Sequence, residues 1–162
     1  MFSKNDQNSD VKIIDFGVAT IHPPRAPPLT AFAGSLRSVA PEVVRRSYDR
    51  ACDLWSVGVT AYFLLTAAMP FDGPAPPDVL RRIARGAYRF PRGAAAELSA
   101  EARDFVDGLL QVDVRRRMTA RVALEHPWLR GRGTRPAAAE RPAAPSRQAA
   151  SSTRRPRRQP GY

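Results

Sequence analysis

The sequence predicts a mainly α-helical domain opened by a short β-hairpin and followed by a disordered basic tail. Three observations carry this. Apolar residues recur at helical spacing in four segments separated by Pro, Gly and capping residues. A single β-rich run, Val11 to Asp15, lies near the start behind a polar turn. Composition changes abruptly at residue 131, after which Arg, Ala, Pro, Ser and Gly dominate.

Each element follows from local chemistry. Residues 19–34 hold Pro23, Pro24, Pro27, Pro28 and Gly34 and read as a loop. Cys52 to Ala68 reads as a helix, apolar nearly all round and so expected to be buried, with Pro70 ending it. Asp78 to Arg85 reads as a short helix, with Pro76 and Pro77 before it and Gly86 after. Ser99 suits the cap of the next helix, with Glu101 in its first turn. In that helix Ala102, Phe105, Val106, Leu109 and Leu110 form one stripe. Thr119 suits the cap of a last helix that Pro127 closes, with Trp128 and Leu129 as apolar anchors. No internal repeat is present.

The chain has 162 residues and a formal charge of +11. Residues 131–162 hold eight arginines and one acid, Glu140, which is +7, so residues 1–130 carry the remaining +4. The basicity belongs mainly to the tail. Its cluster Arg154, Arg155, Arg157 and Arg158 suits an acidic surface or a nucleic acid, but a solvated tail is the favoured reading, since short basic runs are frequent. One cysteine, Cys52, excludes an internal disulfide. The most apolar stretch, Leu54 to Met69, is interrupted by Ser56, Gly58, Thr60 and Thr66 and is too short for a bilayer span. The N-terminus has no signal-peptide pattern. A cytoplasmic or nuclear location, without membrane attachment, is expected.

Two patterns fail as metal sites. Asp6-Gln7-Asn8-Ser9-Asp10 begins like a calcium-binding EF-hand loop, but Val11 stands where Gly is needed and Gly17 where Glu is needed. His22 and His126 are far apart and have no partner cysteines.

Four motifs occur in a fixed order. Asp15-Phe16-Gly17 follows the β-rich run. Ala40-Pro41-Glu42 comes next, then Asp53-Leu54-Trp55-Ser56-Val57-Gly58 at the start of the apolar helix. Asp113 to Thr119 then precedes Ala123-Leu124-Glu125-His126-Pro127-Trp128. This set resembles the protein kinase family, over residues 1–130. Ile13 to Gly17, Val43 to Tyr48 and Ala123 to Trp128 resemble most the calcium/calmodulin-dependent and calcium-dependent kinases.

The resemblance implies the large, C-terminal lobe of a serine/threonine kinase, with ATP and Mg²⁺ as cofactors and a protein substrate or kinase partner. It implies that Asp15 binds Mg²⁺, that Phe16 packs against the hinge of the activation segment, and that Gly17 permits the backbone turn. It assigns Thr30, Ser35, Ala40, Pro41 and Glu42 to the activation segment and substrate loop. Glu42 and Arg117 match a buried ion pair. Asp53 matches the residue that holds the catalytic loop, and Trp55 and Gly58 match packing positions.

The sequence contains no Gly-rich loop, no early-strand Lys with its Glu, and no His-Arg-Asp-x-x-x-x-Asn loop. Met1-Phe2-Ser3 reads as the first hairpin strand, so the catalytic base is expected upstream of Met1, in a kinase domain cut after its catalytic loop. The matched part also departs from the pattern. Ser35 keeps the hydroxyl of the usual Thr, Ser38 replaces a Tyr, and Ala31 stands where many relatives carry an activating phosphothreonine. Ala67-Ala68-Met69-Pro70-Phe71 replaces Gly-x-Pro-Pro-Phe. Residues after 130 hold no EF-hand, so calcium control is not expected.

Overall fold

The computed structural model describes residues 12–91 and 98–131. Five helices follow in order: α1 (Pro41–Val44), α2 (Ala51–Thr66), α3 (Pro76–Arg85), α4 (Ala100–Leu109) and α5 (Ala120–Glu125). The mainly helical class stands. The hairpin does not appear among the described residues. Residues 12–15 form no strand, and Ile13 and Ile14 are 86% and 58% exposed. A strand needs a ladder partner for its backbone groups, and no described segment pairs with this one. The other half of the expected hairpin, and the tail from residue 132, lie outside the described residues.

Capping residues set the helix ends. The Ser99 hydroxyl accepts the Ala102 N–H at 3.2 Å, and the Thr119 hydroxyl accepts the Val122 N–H at 3.4 Å. α3 starts two residues earlier than its sequence pattern suggests. Pro76 and Pro77 occupy its first turn, where a missing N–H costs nothing and the fixed φ is already helical. α2 ends at Thr66, before Pro70 is reached, because Ala67 takes a left-handed conformation at φ 55°.

The core forms where α2 meets α4. Trp55, Val59 and Tyr62 bury against Phe105, Val106 and Leu109, and all five positions of the α4 stripe are buried. Trp55 stacks on Phe71 with ring centroids 5.2 Å apart, and Tyr88 meets the Phe71 ring edge-on at 5.7 Å. Gly58 allows the close approach of the two helices. A Cβ there would lie 2.8 Å from the Leu109 Cβ and 2.9 Å from the Leu110 Cδ2. Gly58→Ala should therefore destabilise the fold by about 1–3 kcal/mol in urea unfolding, because the Leu109 Cβ is fixed to its own helix. A loss below about 0.3 kcal/mol would mean that the helices slide apart freely.

α2 is not covered all round. Val57, Phe63 and Leu64 are 46%, 47% and 77% exposed. Periodicity reports that a helix is apolar on every side; it does not supply the neighbours. On this side Val57, Ala61, Leu64, Phe105, Trp128 and Leu129 line an open, largely apolar groove of about 460 Å³.

Candidate functional site

A cavity of about 520 Å³ lies between the segment around Asp15, the loop after it and the start of α2. Asp15, Phe16, Ala40 and Asp53 line it, together with Ser38, Cys52 and Ser56. Gly17, Thr30, Ser35, Pro41, Glu42, Arg117, Trp55 and Gly58 are not part of its lining.

Asp15 itself adopts the left-handed conformation at φ 65°, not Gly17. Aspartate tolerates this region better than most residues. Its carboxylate Oδ1 accepts the Gly17 N–H at 3.2 Å, and Oδ1 lies 3.2 Å from where a Gly17 Cβ would be. Gly17 thus makes room for a folded-back carboxylate, and it is also a central residue of the turn in which the Ala19 N–H donates to the Phe16 carbonyl at 3.0 Å. Phe16 does not pack in the described residues: it is 70% exposed, because no described element lies over the turn that carries it.

The loop of residues 19–34 is tied down by one residue. Leu29 and Tyr48 exchange backbone hydrogen bonds of 2.8 and 3.1 Å in an isolated antiparallel bridge. The Tyr48 hydroxyl donates to the Ala31 carbonyl at 2.8 Å. The sequence gives no local signal for this pairing, since the partners sit on either side of an irregular segment and α1. Thr30 on this loop and Ser35 just after it are exposed. The Ser35 carbonyl accepts the N–H groups of Ser38 and Val39, each at 3.0 Å, in the turn that leads into α1.

Below the cavity, Glu42 and Arg117 come together in the interior, 6% and 4% exposed. Arg117 Nη1 donates to Glu42 Oε1 at 2.5 Å and Nη2 to Oε2 at 2.9 Å. Nε and Nη2 also donate to the Gln111 carbonyl at 3.1 and 3.0 Å, and Nη1 to the Ala51 carbonyl at 2.9 Å. These bonds match the five donors of a guanidinium. Its central carbon lies 5.2 Å from the Trp55 ring centroid, a cation–π contact between buried groups. Arg117 therefore links α1, the first residue of α2 and the segment after α4.

Asp53 stands in the first turn of α2, where the helix dipole favours a carboxylate. Its neighbour Cys52 faces the same cavity. Burial first, then the carboxylates of Asp53 and Glu42, push the Cys52 thiol up to about 12. Near pH 8 an ordinary thiol titrates, so native Cys52 should alkylate with iodoacetamide at least ~30-fold more slowly than in denaturant. The same shift means that its contribution to stability is intact below about pH 9 and is lost as pH rises toward 12. Comparable alkylation rates in both states would refute the half-buried, neutral thiol.

His126, part of the last sequence motif, is a structural residue. Its Nδ1 accepts the Trp128 N–H at 3.2 Å, so Nε2 carries the proton donated to Asp104 at 3.1 Å. Among the described residues no group of three or more His, Cys, Asp or Glu side chains is placed to hold a metal ion. Mg²⁺ usually takes one or two carboxylates and fills its remaining positions with water and phosphate oxygens. Asp15, a hard oxygen donor facing the cavity, fits such a partial donor set.

The family model described as "Protein kinase domain" matches residues 1–129. The chain belongs to the protein kinase family. Calcium/calmodulin-dependent serine/threonine-protein kinase 1 of Oryza sativa subsp. japonica is 44% identical over 131 residues, 81% of this chain and 22% of that protein. Calcium-dependent protein kinase 21 of the same organism is 39% identical over 136 residues, 84% of this chain and 24% of its own length. CDPK-related kinase 1 of Arabidopsis thaliana is 41% identical over 131 residues, 81% of this chain and 23% of its own. This kinase chain thus spans less than a quarter of these relatives, and the likeness to calcium-dependent kinases read from its motifs stands. No described helix of the kinase chain is long and apolar enough to cross a membrane.

Proposed function

We propose that residues 1–130 act as part of the large lobe of a serine/threonine kinase that transfers the γ-phosphoryl group of ATP to protein hydroxyls. The observation that carries this reading is the placement of Asp15, Asp53 and Ala40 around one cavity, directly above the buried Glu42–Arg117 pair. Asp15 would hold Mg²⁺, which offsets the charge that develops on the phosphates. Asp15 supplies the oxygen donor. Gly17 gives that carboxylate its room, and Asp53 stands at the cavity wall where an adjoining catalytic segment would anchor. Residues 29–42, tied by Tyr48 and Arg117, form the floor against which a peptide substrate would rest.

The 162-residue chain by itself does not catalyse the transfer in this reading. Phosphoryl transfer works by positioning and electrostatic stabilisation, and the groups that cradle the phosphates and accept the hydroxyl proton are not in this sequence. Saturating Mg-ATP should shift its melting temperature by less than about 1 °C, since a ligand stabilises only in proportion to its binding. A shift of several degrees, or phosphate transfer to a generic substrate, would overturn this. The mass of the endogenous protein, detected through a peptide within residues 80–120, tests the larger reading. A mass well above 17.8 kDa fits a full kinase.

The second reading is a non-catalytic binding module in the cytoplasm or nucleus, and the open groove beside Leu64 favours it. Contiguous exposed apolar surface marks a place where another polypeptide packs. An endogenous mass near 17.8 kDa would favour this reading over the first. Residues 131–162 are read as a separate basic tail.

A further inference from the structure

α3 has two faces of opposite character. Val79 and Ile83, one turn apart, are 3% and 0% exposed in the core. Arg81, Arg82 and Arg85 are exposed on the other side. Arg81 is held by the Asp78 carboxylate at 3.0 Å. Among the described residues, neither Arg82 nor Arg85 has an acidic partner. All three arginines line one concavity of about 350 Å³, with Asp78, Pro74 and Ala87 completing the wall.

The helix dipole explains part of this, since cations in a last turn are favourable. It does not explain three guanidinium groups around a single hollow, where like charges repel. Residues 132–162 carry eight arginines against one glutamate, a net charge of the same sign as this face.

We infer that this hollow is a docking site for an acidic segment of a protein partner, whose Asp or Glu side chains pair with Arg82 and Arg85. A guanidinium grips a carboxylate through two parallel hydrogen bonds, which gives direction as well as attraction. A nucleic acid fits less well. The wall carries the Asp78 carboxylate, and it has no aromatic ring on which a base could stack. The hollow shares no residue with the lining of the cavity at Asp15. The inference therefore holds whether or not the chain takes part in phosphoryl transfer.

The test uses the full 162-residue chain and a fluorescein-labelled decaglutamate peptide, with binding read by fluorescence anisotropy near physiological salt. R82E/R85E should weaken binding by about tenfold or more, as expected for two reversed pairs. Charge reversal of Arg154, Arg155, Arg157 and Arg158 should weaken it by less than about threefold, a loss of general attraction only. The opposite ranking would overturn the proposal, because the peptide would then sit on the tail. If R82E/R85E does not fold, R82Q/R85Q replaces it with the same ranking required. A ten-nucleotide thymidine oligomer completes the set. If the α3 substitutions cost the oligomer as much as the peptide, the hollow reads phosphate and the proposal falls; if they spare it, the acidic-segment assignment stands.

Discussion

Arg117→Met should lower the unfolding free energy by about 3–5 kcal/mol, because it leaves the Glu42 carboxylate buried and without a counter-charge. For a domain whose whole stability lies in the range of about 5–15 kcal/mol, that is a drop in melting temperature of roughly 10 °C or more. The geometry makes the loss specific. The guanidinium donates to Glu42, Gln111 and Ala51 and lies over Trp55, so no other group can take over its contacts. The double variant R117M/E42Q should recover part of the loss, since it removes the stranded charge as well. Arg81→Met is the control: its partner Asp78 is one helical turn away at the surface, and such pairs contribute less than about 1 kcal/mol. Equal effects at Arg117 and Arg81 would sink the view that the interior pair anchors the lobe.

Phe71→Ala should cost about 3–5 kcal/mol, the usual range for an aromatic removed from a sealed core. Phe71 is 0% exposed, stacked on Trp55 and met edge-on by Tyr88. Leu64→Ala, on the uncovered side of α2, should cost less than about 1 kcal/mol in this chain, because the side chain is already 77% in water. Urea unfolding of the two variants side by side checks both. A large loss at Leu64 would show that something in the chain covers the groove, and would remove the support for an open docking face there.

What could be read from the residues alone was what depends on near neighbours or on a motif. Ser99 and Thr119 declare their helix starts because a cap acts within three residues. The stripe from Ala102 to Leu110 declares its buried face because 3.6-residue periodicity is local. Glu42 and Arg117 were paired by resemblance, not by any pattern between them. What escaped the sequence depended on distant or external partners. The strand expected in the run Val11 to Asp15 is not formed over residues 12–15, and its expected partner, Met1 to Ser3, lies outside the described residues. The burial of α2 was overestimated at Val57 and Leu64. Gly17 does sit in a turn, as expected, but the left-handed residue beside it is Asp15, whose carboxylate folds back onto the Gly17 N–H, and no local pattern announces that. The contacts of Tyr48 and His126, and the hollow beside Arg82, were not legible because each is created by folding.

The Glu42–Arg117 pair also sets a clock. The partners are 75 positions apart. At about 5–20 residues per second, a ribosome makes Arg117 roughly 4–15 s after Glu42. Throughout that interval the carboxylate must stay in water, since burying it alone would cost several kcal/mol. The segment around Val43 and Trp55 therefore cannot close early, and assembly of the lobe waits until the nascent chain has passed residue 117. Slow codons placed before that point would prolong the exposure of the Trp55 and Phe71 rings, whereas slow codons just after it would give the lobe time to close.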